Sequence, residues 1–200
     1  MDSPQRPLTT RDTVLLITHA AGDEVVGRTV MQKLAYFSGL GLNTSLGHRA
    51  HFYGPYSSKV EDAVGNAVVA GEMREMVERM EDWYGGPDLQ RYTYRLTPEG
   101  KERVDRLIES NSGEWDRIRD SVHAVKKVLP TLDQKTLSSA AKTFLIISES
   151  PEGVAMADIP SLAKKLGWDL EPEQVSKTIE LLKRLDLIST PGEDGPGKNQ

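Results

Sequence analysis

Between Glu72 and Thr97 the spacing of apolar residues changes, and that change limits what this chain can fold into. On either side, apolar residues recur every three or four positions, the period of a helix with one buried face. Within it, EMREMVERMEDW and DLQRYTYRLT flank Tyr84-Gly85-Gly86-Pro87, and Tyr92, Tyr94 and Leu96 alternate. Alternation about a Gly-Pro turn predicts a β-hairpin, although the first arm is also helical on propensity alone.

Three helices are expected before the hairpin. Thr9 or Thr10 caps the first, with Val14, Leu15, Ile17 and Thr18 inward and Gly22 as its stop. The second starts near Gly27 or Arg28, with Val30, Met31, Leu34, Ala35, Phe37 and Leu40 on its stripe and Gln32, Lys33 and Tyr36 beside it. The loop GLGLNTSLG follows, and HRAHFYGPYSS reads as a short strand running into a turn. Ser58-Lys59-Val60-Glu61 has the spacing of a capping box. The helix it opens would bury Val60, Ala63, Val64, Ala67 and Val68 and expose Lys59, Asp62, Gly65, Asn66 and Val69.

After the hairpin, Thr97-Pro98 supplies a cap and a first-turn proline for a fourth helix, which Asn111-Ser112-Gly113 breaks before a fifth. Asp133, Asp158-Pro160 and Glu171-Pro172 open three more, and Leu187-Ile188-Ser189 suggests a short strand. Helix, helix, helix, hairpin, helix is the winged-helix order. The expected fold is mainly α with a small β-hairpin: a winged helix-turn-helix domain over 9–110, a connecting helix over 111–132, and a C-terminal helical, helix-turn-helix-like module over 133–190. Residues 1–8 and 191–200 are expected to be disordered tails.

The chain has no cysteine, which removes disulfides, thiolate nucleophiles and cysteine zinc sites. No apolar run approaches the ~20 residues that span a bilayer, and the N-terminus has no apolar signal core, so a cytoplasmic protein is expected. His48 and His51 have no nearby carboxylate or cysteine to complete a metal site, so neither metal nor cofactor is expected. No GxSxG, P-loop, GxGxxG or HExxH motif occurs, and no enzyme is expected.

Net charge is -5, unevenly spread. Residues 1–60 hold six Lys/Arg against four acids, and residues 61–90 hold two against eight. Nucleic-acid binding wants a basic surface, and the exposed face of the third helix is acidic. The best DNA-contacting candidates are therefore Lys164, Lys165, Gln174, Lys177, Lys183 and Arg184 in the C-terminal module, with Arg91 and Arg95 on the hairpin. Protein-contact candidates are Asp62, Asn66 and Val69 on the third helix and Trp83 at the hairpin tip.

Met31-Gln32-Lys33-Leu34-Ala35-Tyr36-Phe37, followed by His51-Phe52-Tyr53-Gly54-Pro55-Tyr56-Ser57-Ser58, resembles the uncharacterised bacterial and archaeal YwgA-like proteins. More distantly it resembles the Panacea domain of SocA-type antitoxin adaptors. The shared pattern is an LQKLxY helix and a YGPYS turn leading into the next helix, over about residues 10–108; Met31 stands where that pattern has Leu. The resemblance marks Gln32, Lys33, Tyr36, Tyr53, Gly54, Pro55, Tyr56 and Ser58 as one cluster. It implies a winged-helix-like fold and, for the Panacea branch, protein–protein binding. From the residues themselves, Lys33 is expected to lie across Tyr53 or Tyr56 or to bond to the turn's carbonyls.

These readings lead to a regulatory binding protein. A DNA-linked transcriptional role comes first by fold analogy, and an antitoxin-like adaptor second. A homodimer through the Glu99–Leu129 region is a further expectation.

Overall fold

Helices dominate, and a small antiparallel sheet closes one side. The computed structural model describes residues 6–80, 89–150 and 153–188. In chain order it contains α1 (Thr10–Ala20), β1 (Glu24–Val26), α2 (Arg28–Gly41), α3 (Ser58–Val69), β2 (Met73–Met80), β3 (Leu89–Leu96), α4 (Pro98–Ser110), α5 (Ser112–Val128), α6 (Gln134–Ser148), α7 (Ile159–Lys165) and α8 (Pro172–Arg184). A 3-10 turn, Met156–Asp158, precedes α7. No helix among the described residues is long and apolar enough to cross a membrane. Trp83 and the hairpin tip lie outside the described residues, as do most of both tails.

The first helix is the hub. Thr9 and Asp12 form a capping box at its start, and Val14, Leu15, Leu16 and Ile17 are completely buried. A helix buried on every side has neighbours on every side: α3, α4, α5, α2 and the sheet all pack on it. Its one buried acid, Asp12, takes Arg103 of α4 at 2.6 Å, which ties α4 to the hub.

The sheet runs β1-β3-β2, antiparallel throughout, with Val25 opposite Tyr94 and Met76 opposite Thr93. β1 was not foreseen. Three residues are too few to display a period, and Gly22 and Asp23, both at positive φ, turn the chain into it. The Met73–Met80 arm is strand rather than helix; pairing with β3 overrides local propensity.

Three other local expectations need correction. The segment after His48 is not a strand: it makes a single bridge, Arg49 with Tyr56, around the Gly54-Pro55 turn. Ser58 does not cap α3. Ser57 is the cap, accepting from Val60 N, and Glu61 is drawn to Tyr56 instead of closing a capping box. Leu187 and Ile188 form no strand, and Ser189 lies outside the described residues.

Part of the Glu99–Leu129 region expected to pair in a dimer packs within the chain. Ile118, Val122 and Val125 of α5 are buried where α5 packs on α1 and α2. Trp115 lies half-buried against the His19 ring at 5.4 Å. Its outer face carries the local ion pairs Arg117–Glu114 and Arg119–Asp116. The C-terminal helices pack back in turn, α6 on α2 and α8 on α6, with Thr143 and Thr178 sharing a buried hydrogen bond of 3.0 Å.

Candidate functional site

The motif cluster folds into one fastening. Gln32 Nε2 donates to Ser57 O and Ser57 N donates to Gln32 Oε1, both at 2.9 Å. Lys33 Nζ donates to Pro55 O at 2.7 Å. Ser57 Oγ donates to Leu46 O at 2.6 Å, and His48 Nε2 approaches Gln32 O at 3.2 Å. Two consecutive polar residues of α2 thus hold the loop that leads into α3, with each buried polar group given a partner from that loop. Of the two roles expected for Lys33, the carbonyl bond is observed. Tyr53 instead faces outward beside the exposed Phe52, their rings edge-on at 4.9 Å.

Glycine suits position 54, where any side chain would be strained. Its φ is +96°, and a Cβ would sit 3.0 Å from Lys142 Cγ and 3.5 Å from Lys33 Cε. The loop is clamped from its other side by the C-terminal helices. Trp168 Nε1 donates to His51 O at 2.6 Å, and Lys142 lies over the Trp168 ring. Tyr36 is buried between His48 and Phe144.

Burial leaves electrostatic marks on this fastening. Lys33 is 1% exposed and has no ion pair among the described residues. Desolvation, with nearby Lys142 adding to it, lowers its pKa from 10.5 to about 8. Burial likewise lowers His48 from 6.5 to about 4, against the opposing hydrogen bond to Gln32. Both groups bind protons more weakly in the folded chain, so stability rises with pH wherever the unfolded chain still holds the proton. For His48 that window runs from about pH 4 to 6.5, and for Lys33 from about pH 8 to 10.5. Denaturant melts across pH should show both rises. Lys33→Met should shrink the upper rise to the part that half-buried Lys142, also lowered by desolvation, still supplies, and leave the lower one; an upper rise of undiminished size would put the titrating group elsewhere.

The fastening also builds one wall of a groove of about 370 Å³. Met31, Gln32 and Tyr56 form that wall, Val64, Gly65 and Val68 of α3 the second, and Tyr94 and Glu75 of the sheet the third. Its lining is chiefly apolar, and Arg28, Glu61 and Glu75 are its charged members. Tyr56 donates to Glu61, and this hydrogen bond, before burial, raises the phenol to about 12. Burial raises Tyr94 to about 12 as well, so both phenols stay neutral donors at physiological pH. Arg28 is stacked 3.6 Å over the Tyr92 ring. Val69 stands at the groove's edge, 89% exposed, and nothing lies within 4 Å of a Cβ built on Gly65.

The other sequence candidates divide. Asp62, Asn66 and Val69 are all exposed on α3, as expected. The proposed DNA contacts do not form one surface: Arg91 and Arg95 lie on β3, which packs against α1 and α4, whereas the rest sit on α7 and α8, which pack on α6. Several are already engaged. Lys177 pairs with Glu173, Lys183 with Glu180 and Arg95 with Glu24. Gln174 accepts from Glu171 N to cap α8. Lys164, Lys165, Arg184 and Arg91 are exposed.

Ser57, Trp168, Arg28 and Glu75 were missed as site residues. Ser57 had a signal, since it is also a serine within the motif; Trp168 and Glu75 had none, because only long-range packing brings them here. No protein-family model and no curated protein matches the chain.

Proposed function

We propose that this protein is a non-enzymatic regulatory binding protein that takes up a segment of a partner protein in the groove between α3 and the hairpin. The observation that carries this reading is an apolar groove, walled on three sides, beside an almost fully exposed valine. Exposed apolar surface next to a preformed pocket favours a partner with an apolar anchor. The acids Glu61, Asp62 and Glu75 favour basic residues flanking that anchor.

The element order supports a winged-helix assignment, in which α3 takes the place of the recognition helix. A DNA-reading helix presents cations and amides to the groove, whereas α3 presents two carboxylates and a valine, which phosphates would not favour. This agrees with the adaptor function that the Panacea resemblance implies, acting in the cytoplasm.

A DNA-linked transcriptional role is the second reading. It rests on α7 and α8, joined by a tight turn, and on Lys164 and Lys165, which are exposed and have no carboxylate partner among the described residues. The two readings separate in one assay. Labelled peptides bearing an apolar anchor between Lys/Arg residues, and mixed duplex DNA, are titrated across a salt series. Peptide binding that falls at least about tenfold on Gly65→Leu, which fills the groove, supports the adaptor. Duplex binding that weakens steeply with salt and disappears in Lys164→Glu/Lys165→Glu, with no peptide bound, would overturn it.

A further inference from the structure

We infer that two copies of this chain pair through the outer edge of β2. In the order β1-β3-β2, β2 is an eight-residue edge strand. Thr97 N donates to Glu72 O, which sets the ladder's phase: the even-numbered residues of β2 turn their backbone groups toward β3. The bonds from Leu96 N to Asp23 O and from Gly27 N to Tyr92 O, on the other side of β3, give the same phase. The N–H and C=O groups of Glu75, Val77 and Arg79 therefore point away from the sheet. Glu75, Val77, Glu78 and Arg79 are exposed, and among the described residues no strand pairs with this edge. An open edge strand is a template for another strand.

Its sequence says which strand. Met73-Arg74-Glu75-Met76-Val77-Glu78-Arg79-Met80 is nearly a palindrome in charge. A two-fold axis that sets β2 antiparallel to its copy must run perpendicular to the sheet. Each face then continues across the junction, and only residues of the same face oppose each other. That excludes the register placing Arg74 against Arg79 and Glu75 against Glu78. Of the registers left, the one centred on Val77 would set Glu75, which already has Arg28 nearby, against Arg79; the one centred on Met76 sets each Arg74 against Glu78 of the second copy, twice by symmetry. Arg74 needs such a partner: within its own hairpin it lies opposite another arginine, Arg95, which is itself bonded to Glu24. Among the described residues Arg74 has no ion pair of its own. Opposite charges directly across strands stabilise the pairing and like charges oppose it. The inference is independent of which partner the α3 groove takes, because that groove opens on the face of the sheet and not on its edge.

The test uses the full chain. Light scattering on a sizing column at tens of micromolar should show two 22.2 kDa chains together. Val77→Pro removes only an outward N–H, so the circular dichroism spectrum should stay unchanged while the dimer is lost. Arg74→Glu should raise the dimer Kd by about tenfold, and adding Glu78→Arg should restore it. The chain contains no cysteine, and Met76 faces its own copy across a non-bonded pair with Cα atoms about 4.5 Å apart. Met76→Cys should therefore cross-link spontaneously into a dimer, whereas Val77→Cys should not. A monomeric wild type, a dimer that survives Val77→Pro, or a charge swap without rescue would overturn the inference.

Discussion

Replacing Trp168 with alanine should cost the fold about 3–5 kcal/mol, the range for truncating a buried large aromatic. Trp168 is 2% exposed. It sits in the short connection between α7 and α8, yet its indole N–H reaches across to His51 O, 2.6 Å away. The substitution leaves a cavity among the C-terminal helices and removes the donor that clamps the loop before α3. Trp168→Phe separates the two effects. It keeps most of the ring and should cost about 1 kcal/mol for the lost hydrogen bond. Urea melts supply both numbers, and hydrogen exchange at residues 48–56 locates the loosening. If Trp168→Ala melted within 1 kcal/mol of wild type, the C-terminal helices would not be clamping the motif loop.

Gly100→Ala should be the second severe substitution, although alanine is ordinarily the better helix former by about 1 kcal/mol. Gly100 is in the first turn of α4, where its N–H donates to the capping Thr97 hydroxyl. A Cβ there would stand 2.0 Å from Glu72 O and 2.9 Å from Glu72 C. Both are backbone atoms at the start of β2, held by the Thr97 N–H, so neither can yield cheaply. The collision should cost about 2–3 kcal/mol, the upper range for overpacking, and it should splay α4 from the hairpin. Melting temperature reads the first effect and near-ultraviolet dichroism from Tyr92 and Tyr94 the second. Gly113→Ala serves as control, because nothing lies near its Cβ and it should be neutral or mildly stabilising. A Gly100→Ala protein as stable as the control would mean that α4 and β2 do not approach this closely.

Gly100 also shows how much was readable beforehand. The alternation ending at Leu96 and the cap at Thr97-Pro98 marked the exit from a hairpin into a helix, and that is where α4 begins. The reason for its glycine was not readable, because the crowding atom belongs to a residue 28 positions earlier. The motif cluster behaves likewise. Gln32, Lys33 and Pro55 were singled out by pattern, and they bond as a unit. Ser58 was chosen over Ser57 because both satisfy the spacing of a cap within one residue. The choice was made by Leu46 and Gln32, which hold Ser57 from outside the helix.

The candidate groove was the least legible feature. The exposed face of α3 could be read from helical spacing, since the same period that names buried positions names exposed ones. Its opposite walls come from α2 and from two strands, and no local pattern records which residues will face one another across a gap. Local chemistry therefore decided much of what each segment becomes: caps, prolines and glycines place helix ends and alternation places β3, whereas β1 and β2 are made strands by pairing with it. Long-range packing decided what the segments do together. It gave β3 a neighbour on each side and left the outer edge of β2 without a strand among the described residues. Those outcomes depend on distances between residues far apart in the chain, which only the folded backbone sets.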